Sequence, residues 1–114
     1  MQFLLLIYDQ EKRWTTLSEA QQNSENQEFG AFGNEFAKSI QGGNALQPTP
    51  WAKTVRVRNG KPQVTDGPFA ETKEQLGGYY LVEANDADEA VSIAAKIPWV
   101  RYGSVEVRPI QTFS

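Results

Sequence analysis

The sequence predicts an α+β domain in which helices cover one face of a single antiparallel sheet. The chain has 114 residues, which suits one domain, so we treat residues 1–114 as a single unit. Strand-like and helix-like patterns follow one another in the order β, α, β-hairpin, β, α, β. No repeat or low-complexity tract interrupts this order. It is the order of a split βαβ, or ferredoxin-like, layout with an added hairpin.

The first predicted strand, residues 3–8, is apolar on both of its alternating faces. One face carries Phe3, Leu5 and Ile7, and the other carries Leu4, Leu6 and Tyr8. Such a strand needs a cover on both sides of its sheet. Helices of the same chain can cover one side, and a partner subunit is the simplest cover for the other. We therefore expect a two-fold homodimer.

Two helices are predicted from their caps and their spacing. Ser18 and Gln21 fit a capping box, and the helix that they begin is expected to run to about Gln41 and to end at Gly42-Gly43. One helical stripe of core residues supports this helix: Phe29, Phe32, Phe36 and Ile40. A second helix should begin after Asp86, with Glu89 three residues later, and end near Lys96, before Pro98.

The remaining strands are predicted from alternation and turn signals. Residues 54–58 and 61–65 flank Asn59-Gly60, which is the strongest two-residue hairpin signal. Residues 79–84 and 104–110 are expected to be the last two strands. Residues 44–51 carry two prolines and are expected to form a loop or a short edge strand.

Composition excludes several classes of function. The net charge of −3 argues against a nucleic-acid partner, which would favour a basic face. With no cysteine and no histidine, the chain cannot form a thiolate nucleophile, a Ser-His-Asp triad or a typical zinc site. We expect no metal and no cofactor. The apolar N-terminal run is too short to span a membrane and lacks the flanks of a signal peptide, so we expect a cytoplasmic protein without membrane contact.

Residues 66–80 carry the most distinctive motif, which begins Asp66-Gly67-Pro68-Phe69 and ends Gly77-Gly78-Tyr79-Tyr80. The motif resembles the signature of the DGPF, or YCII-related, family. Four further segments resemble that family in the same order, namely residues 4–8, 45–48, 54–56 and 105–110. The resemblance is weakest over residues 9–41.

The resemblance implies a ferredoxin-like fold that forms a dimeric α/β barrel with a cleft. The wider YCII-related group includes a lyase-type dehydrochlorinase that uses a His-Asp pair, and proteins of this kind are often encoded near sigma factors. This chain has no histidine, so the resemblance carries over only Asp66. The acid–base chemistry of the wider group therefore lacks one of its two residues here.

Asp66 is the candidate catalytic residue. Aspartate before Gly-Pro is also a common turn former that binds backbone amides, and the two roles can coexist. Burial beside aromatic side chains would raise the pKa of its carboxyl toward the range of a general base. Residues 69–76 fit either a solvated turn of helix or a loop lining the cleft.

The candidate ligand-binding residues are cations and aromatics that could face a small anion. Lys73 would be the nearest cation in the loop, beside Phe69. The arginines of two strands fit either cross-strand ion pairs or a guanidinium offered to a carboxylate or phosphate. Tyr8 could offer its hydroxyl at the end of the first strand. The full set is Tyr8, Arg56, Arg58, Phe69, Lys73 and Arg108.

Two functions follow from these residues. The first is a small-molecule-binding homodimer with a cleft near the DGPF loop, with a regulatory role linked to a sigma-factor response that the resemblance alone implies. The alternative is a cofactor-independent lyase or isomerase that uses Asp66 as acid and base. We favour the binding function, because histidine, the base most often used for such chemistry, is absent.

Overall fold

The computed structural model describes residues 1–113, which form one four-stranded and one two-stranded antiparallel sheet. The strands are β1 (Gln2–Asp9), β2 (Ile40–Ala45), β3 (Lys53–Arg58), β4 (Lys61–Asp66), β5 (Gln75–Glu83) and β6 (Ser104–Pro109). The helices are α1 (Glu11–Thr16), α2 (Glu19–Glu35) and α3 (Ala87–Ala94), with short 3₁₀ segments at Thr49–Trp51 and Pro98–Arg101.

The larger sheet confirms the predicted ferredoxin-like fold. Its strands lie in the order β2-β5-β1-β6, and every neighbouring pair is antiparallel. Counted among these four strands alone, the spatial order is second, third, first, fourth, as a split βαβ layout requires. Strands β3 and β4 form the predicted added hairpin and pair with each other. Its turn, Asn59-Gly60, has the two positive φ angles (53° and 75°) that a tight hairpin turn favours.

The core lies between the helices and one face of this sheet. Alternate residues of β1 are buried on that face, and Phe3 and Leu5 are fully buried. The predicted aromatic stripe lies in this core: Phe32 is buried, and Phe29, Phe36 and Ile40 pack against it. The opposite face of β1 carries Leu4, Leu6 and Tyr8, and these side chains are only half-buried within a single chain.

The predicted end of the long helix was wrong. Helix α2 ends at Glu35, and residues 40–45 form edge strand β2 instead of a last helical turn and its glycine stop. Ile40 keeps the helical spacing of the stripe, which is why the spacing alone extended the helix too far. Gly43 lies against β5, where an added Cβ would sit only 2.6 Å from the carbonyl oxygen of Tyr79. Gly43 therefore permits a close strand contact.

The other local predictions were confirmed only in part. The capping box of Ser18 with Gln21 is confirmed, as is the Asp86 cap that accepts from the Glu89 amide. Helix α1 was missed, because six mostly polar residues carry no apolar period. Cross-strand pairing of the two arginine-bearing strands was wrong, because β3 and β6 lie in different sheets.

Gly103 is a sensitive packing position at the start of β6. An added Cβ would collide with the carbonyl oxygen of Tyr8 and lie 3.0 Å from the Asp9 Cα, both in the backbone of β1. We expect Gly103→Ala to lower the free energy of unfolding by about 2–3 kcal/mol, as overpacking does. Gly42→Ala is the control, because no atom lies within 4 Å of its added Cβ. Urea unfolding measures both, and equal stabilities would contradict this account.

Candidate functional site

A concavity lies between α1, α2 and one end of the large sheet. It consists of two adjoining cavities with volumes of about 340 and 670 Å³. These volumes match small-molecule sites, which usually measure about 300–1,000 Å³. Both cavities are lined by Trp14, Leu46, Gln47, Pro48, Gly77 and Trp99. We call the combined space the aromatic cleft.

Two tryptophans give the aromatic cleft its character. The rings of Trp14 and Trp99 have centroids 5.7 Å apart and planes inclined at 51°. Phe29 meets Trp99 edge to face at 5.5 Å. At Gly77, an added Cβ would lie 3.3 Å from the Trp99 ring, so glycine allows the indole to lie against β5. The cleft thus offers flat apolar surfaces to a ligand.

A buried ionic network supports the wall beside the cleft. The Arg13 Nε donates to Asp9 Oδ2 at 2.6 Å, and its two terminal nitrogens donate to Glu25 at 2.9 and 3.0 Å. The indole nitrogen of Trp99 also donates to Glu25, at 2.8 Å. The Arg13 guanidinium lies over the Tyr102 ring at 4.1 Å. The network therefore fixes β1, α1, α2 and the Trp99 segment relative to one another.

The network also sets the charge state of its members. Asp9 and Glu25 are buried, with 5% and 7% exposure. The hydrogen bonds from Arg13 are the largest cause that lowers the pKa of Glu25, against the opposing effect of burial. The hydrogen bonds that Arg13 donates to Glu25 and Asp9 in turn raise the pKa of Arg13. Arg13 and Glu25 are therefore charged near neutral pH, and Glu25 stays an acceptor that orients Trp99.

Some of the other polar groups at the cleft already form hydrogen bonds within the chain, and others do not. Glu11 accepts from the Thr49 backbone and hydroxyl at 2.7 and 2.9 Å, which fixes the segment that bears Pro48 and Pro50. Lys12 lines the smaller cavity, is exposed, and forms no ion pair within residues 1–113. Burial raises the pKa of Tyr80, which lines the larger cavity, so its hydroxyl stays protonated near neutral pH.

The structure places Asp66 at the base of the β3–β4 hairpin, away from the lining of the aromatic cleft. Its carboxylate accepts from the Lys53 Nζ at 2.6 Å and is 85% exposed in the single chain. In the turn-forming alternative this carboxylate would accept from backbone amides, but it accepts from the lysine instead. Arg56 and Arg58 are exposed on β3, and Phe69 and Lys73 are exposed in the following loop.

The loop of residues 67–74 is irregular, so the helical alternative for this segment was wrong. The motif reaches the cleft only at its far end, where residues 75–80 line the cavities.

Tyr8 and Arg108 both lie on the open face of the large sheet, four residues apart in register. Arg108 is paired in register with Leu4, on the same face as Tyr8, and its Nε lies 3.8 Å from Glu106 Oε2. Tyr79 shares this face, and its hydroxyl accepts from the Asn44 amide at 2.9 Å. The candidate residues named from sequence therefore fall into two groups, one on this face and one on the hairpin and loop.

Sequence reasoning missed the residues that build the aromatic cleft. Trp14, Trp99, Arg13 and Glu25 are far apart in sequence or stand in mostly polar segments, so no spacing linked them. Asp9 directly follows the buried strand, and this was the one available signal. Within residues 1–113, no cluster of three or more acidic side chains could hold a metal ion. No helix in this range is long and apolar enough to cross a membrane.

The sheet, the helices on one of its faces and the cleft of small-molecule size are the features of a ferredoxin-like α+β domain with a ligand-sized cleft. The profile of the YCII-related domain matches residues 1–114, and the chain belongs to this family. An uncharacterised protein of Rhizobium meliloti (strain 1021) is 33% identical over 117 residues, which cover 99% of this chain and 94% of that protein.

Among solved structures, the chain is similar to 5-chloro-2-hydroxyhydroquinone dehydrochlorinase (TftG) from Burkholderia phenoliruptrix AC1100. That structure is a complex with 2,5-dihydroxybenzoquinone. The TM-score is 0.61 at 16% identity, covering 97% of this chain and 94% of the other. At this identity the similarity establishes a shared fold.

Proposed function

We propose that the protein binds a small, flat, ring-containing anion in the aromatic cleft. The observation that carries this proposal is the pair of tryptophan rings, 5.7 Å apart, on a connected space of small-molecule size. Aromatic side chains hold flat rings by stacking and edge contacts. Lys12 provides a cation at the rim, and the YCII-like dehydrochlorinase was solved with a hydroxyquinone, which is a flat ring with acidic hydroxyls.

Isothermal titration of the protein with 2,5-dihydroxybenzoquinone and with hydroxybenzoates tests this proposal. We expect saturable binding that weakens roughly tenfold or more in Trp14→Ala, because a stacking surface is lost. Leu46→Trp should also block binding, since Leu46 lines both cavities. Trp51→Ala is the matched control, because Trp51 is 75% exposed and outside the cleft lining. Equal affinities of Trp14→Ala and the control would contradict the proposal.

The proposed binding unit is a homodimer. The open face of the large sheet carries an apolar centre that one chain leaves half-buried: Leu4, Leu6, Tyr8, Tyr79 and Leu81. Polar groups such as Glu106 and Arg108 surround it. Two such faces packed together would bury both apolar centres and form the dimeric α/β barrel. Tyr8 and Arg108 of each copy would then lie at that interface.

The alternative function is a cofactor-independent lyase or isomerase that uses Asp66 as acid and base. The observation that favours it is the dehydrochlorinase activity in the name of the structural neighbour. In the single chain Asp66 is exposed and paired with Lys53, so catalysis would require a partner subunit to enclose it.

Chloride release from 5-chloro-2-hydroxyhydroquinone tests this alternative. Release that Asp66→Asn abolishes while Lys53→Gln retains it would support the lyase. Binding of this compound without chloride release would support the binding function and contradict the lyase.

A regulatory form of the binding proposal makes the ligand a signal in a sigma-factor response. It requires the ligand to change the surface that the protein offers to a partner. Amide hydrogen exchange with and without ligand measures such a change. Exchange altered only in the segments that line the cleft would count against the regulatory form.

A further inference from the structure

The β3–β4 hairpin, residues 53–66, projects from the domain as an arm. Its two strands pair only with each other and join neither edge of the four-stranded sheet. The Lys53–Asp66 ion pair lies at its base, and the Asn59-Gly60 turn lies at its tip. A two-stranded hairpin without further packing is marginally stable in water. The arm therefore needs a surface to pack against.

One face of the arm is apolar and uncovered. Val55 pairs in register with Val64, and Val57 pairs with Pro62, so these four side chains share a face. The three valines are 61%, 59% and 59% exposed. At the base, Trp51 and Phe69 add further exposed aromatic surface. A contiguous exposed apolar patch on a small protein indicates an interaction surface.

The charge of the arm favours a second copy of this chain as the partner. The arm contains four basic residues and one acidic residue, which gives it a net charge of +3. The whole chain carries −3, so the rest of the chain carries −6. Arg56, Arg58 and Lys61 lie on or beside the face opposite the valines. A second copy of this chain therefore offers the arm a body of opposite net charge.

We propose that the arm docks on the acidic body of a second copy of this chain, so that two reciprocal arms clasp the dimer. This inference rests on the proposed homodimer and adds a second contact to the packed sheet faces. In a two-fold dimer each arm reaches the same site on the other subunit. The valines supply the buried apolar contact, and the arginines, on the other face of the arm, supply longer-range attraction that salt weakens.

Sedimentation equilibrium of Val55→Thr/Val64→Thr tests the apolar contact. Threonine keeps the β-branched shape, so the arm still folds while its face becomes polar. We expect the dimer dissociation constant to rise at least tenfold. Val91→Thr is the control, because Val91 is 54% exposed on α3, outside the arm. A dissociation constant equal to that of the control would overturn the proposal.

Charge reversal tests the electrostatic contact. Arg56→Glu/Arg58→Glu should weaken the dimer at least tenfold at low salt, with less effect at high salt. The control Lys73→Glu/Lys96→Glu changes the net charge equally at exposed residues outside the arm. If both double variants weaken the dimer alike, net charge alone acts and the docking proposal is overturned.

Results that refute the arm contact can be distinguished from results that refute the homodimer itself. A wild-type monomer at 100 micromolar would overturn both. A dimer that Leu6→Lys dissociates, but that tolerates both arm variants, would overturn the arm and leave the sheet-face dimer intact.

The position at which the arm docks can be tested directly by crosslinking from one introduced cysteine, because the chain has no cysteine of its own. A photo-crosslinker on Val57→Cys, in a mixture of ¹⁵N-labelled and unlabelled protein, should join labelled to unlabelled chains. Crosslinks confined to one chain would overturn the proposal.

Discussion

Arg13→Met is expected to lower the free energy of unfolding at pH 7 by about 3–5 kcal/mol. The substitution removes the one cation that contacts both buried carboxylates, Asp9 and Glu25. Breaking a buried ion pair by removing one partner leaves uncompensated charge, which is costly. The control Arg101→Met removes the exposed pair with Glu28, where we expect a loss of about 1 kcal/mol or less. Urea unfolding measures both variants.

The pH dependence of this loss provides a second readout. In the wild type, the lowered pKa of Glu25 stabilises the fold above the unfolded pKa of 4.5, and this contribution is lost as the pH falls through the folded value. Without Arg13, burial favours the protonated carboxyl of Glu25. Acidification therefore reduces the difference in the free energy of unfolding between the variant and the wild type. We expect the deficit to shrink between pH 7 and pH 4.5. A constant deficit would contradict the network as described.

Leu6→Lys is expected to abolish the dimer at micromolar concentration while leaving the subunit folded. Leu6 is half-buried on the open sheet face of one chain, so lysine can reach solvent in the monomer. In the packed dimer the same ammonium would be buried without a partner, which costs several kcal/mol. We expect the dissociation constant to rise by about two orders of magnitude or more.

Val91→Lys, at an exposed position on α3, is the control for this substitution. Analytical ultracentrifugation reports the mass, and far-UV circular dichroism reports the fold. A Leu6→Lys protein that remains dimeric would place the interface elsewhere.

The fold could be predicted to the level of element order because its signals are local. The capping box at Ser18, the cap at Asp86 and the Asn59-Gly60 turn each specify a short segment by hydrogen bonds within it. The boundary near Ile40 could not be predicted, because that residue satisfies both the helical stripe and the edge strand. Only its contact with β5 decides between them.

The candidate site could be predicted only where the motif touches it. Gly77 and Gly78 stand at the end of the motif named from the sequence, and Gly77 lets the Trp99 ring lie against β5. The rest of the aromatic cleft depends on tertiary contacts, such as Trp14 meeting Trp99 across 85 residues of chain. Glu25 reads as one more surface carboxylate on a polar helix, and only Arg13 and Trp99 explain its burial.

A crystal structure of the protein grown with 2,5-dihydroxybenzoquinone tests the central claim most directly. We expect a ring packed against the faces that Trp14 and Trp99 offer to the cleft, with its acidic hydroxyl toward Lys12, in each subunit of a two-fold dimer. A ring bound beside Asp66, or between the sheets at Tyr8 and Arg108, would contradict it. In that case the residues named from the sequence would form the site, and the aromatic cleft would be a structural cavity.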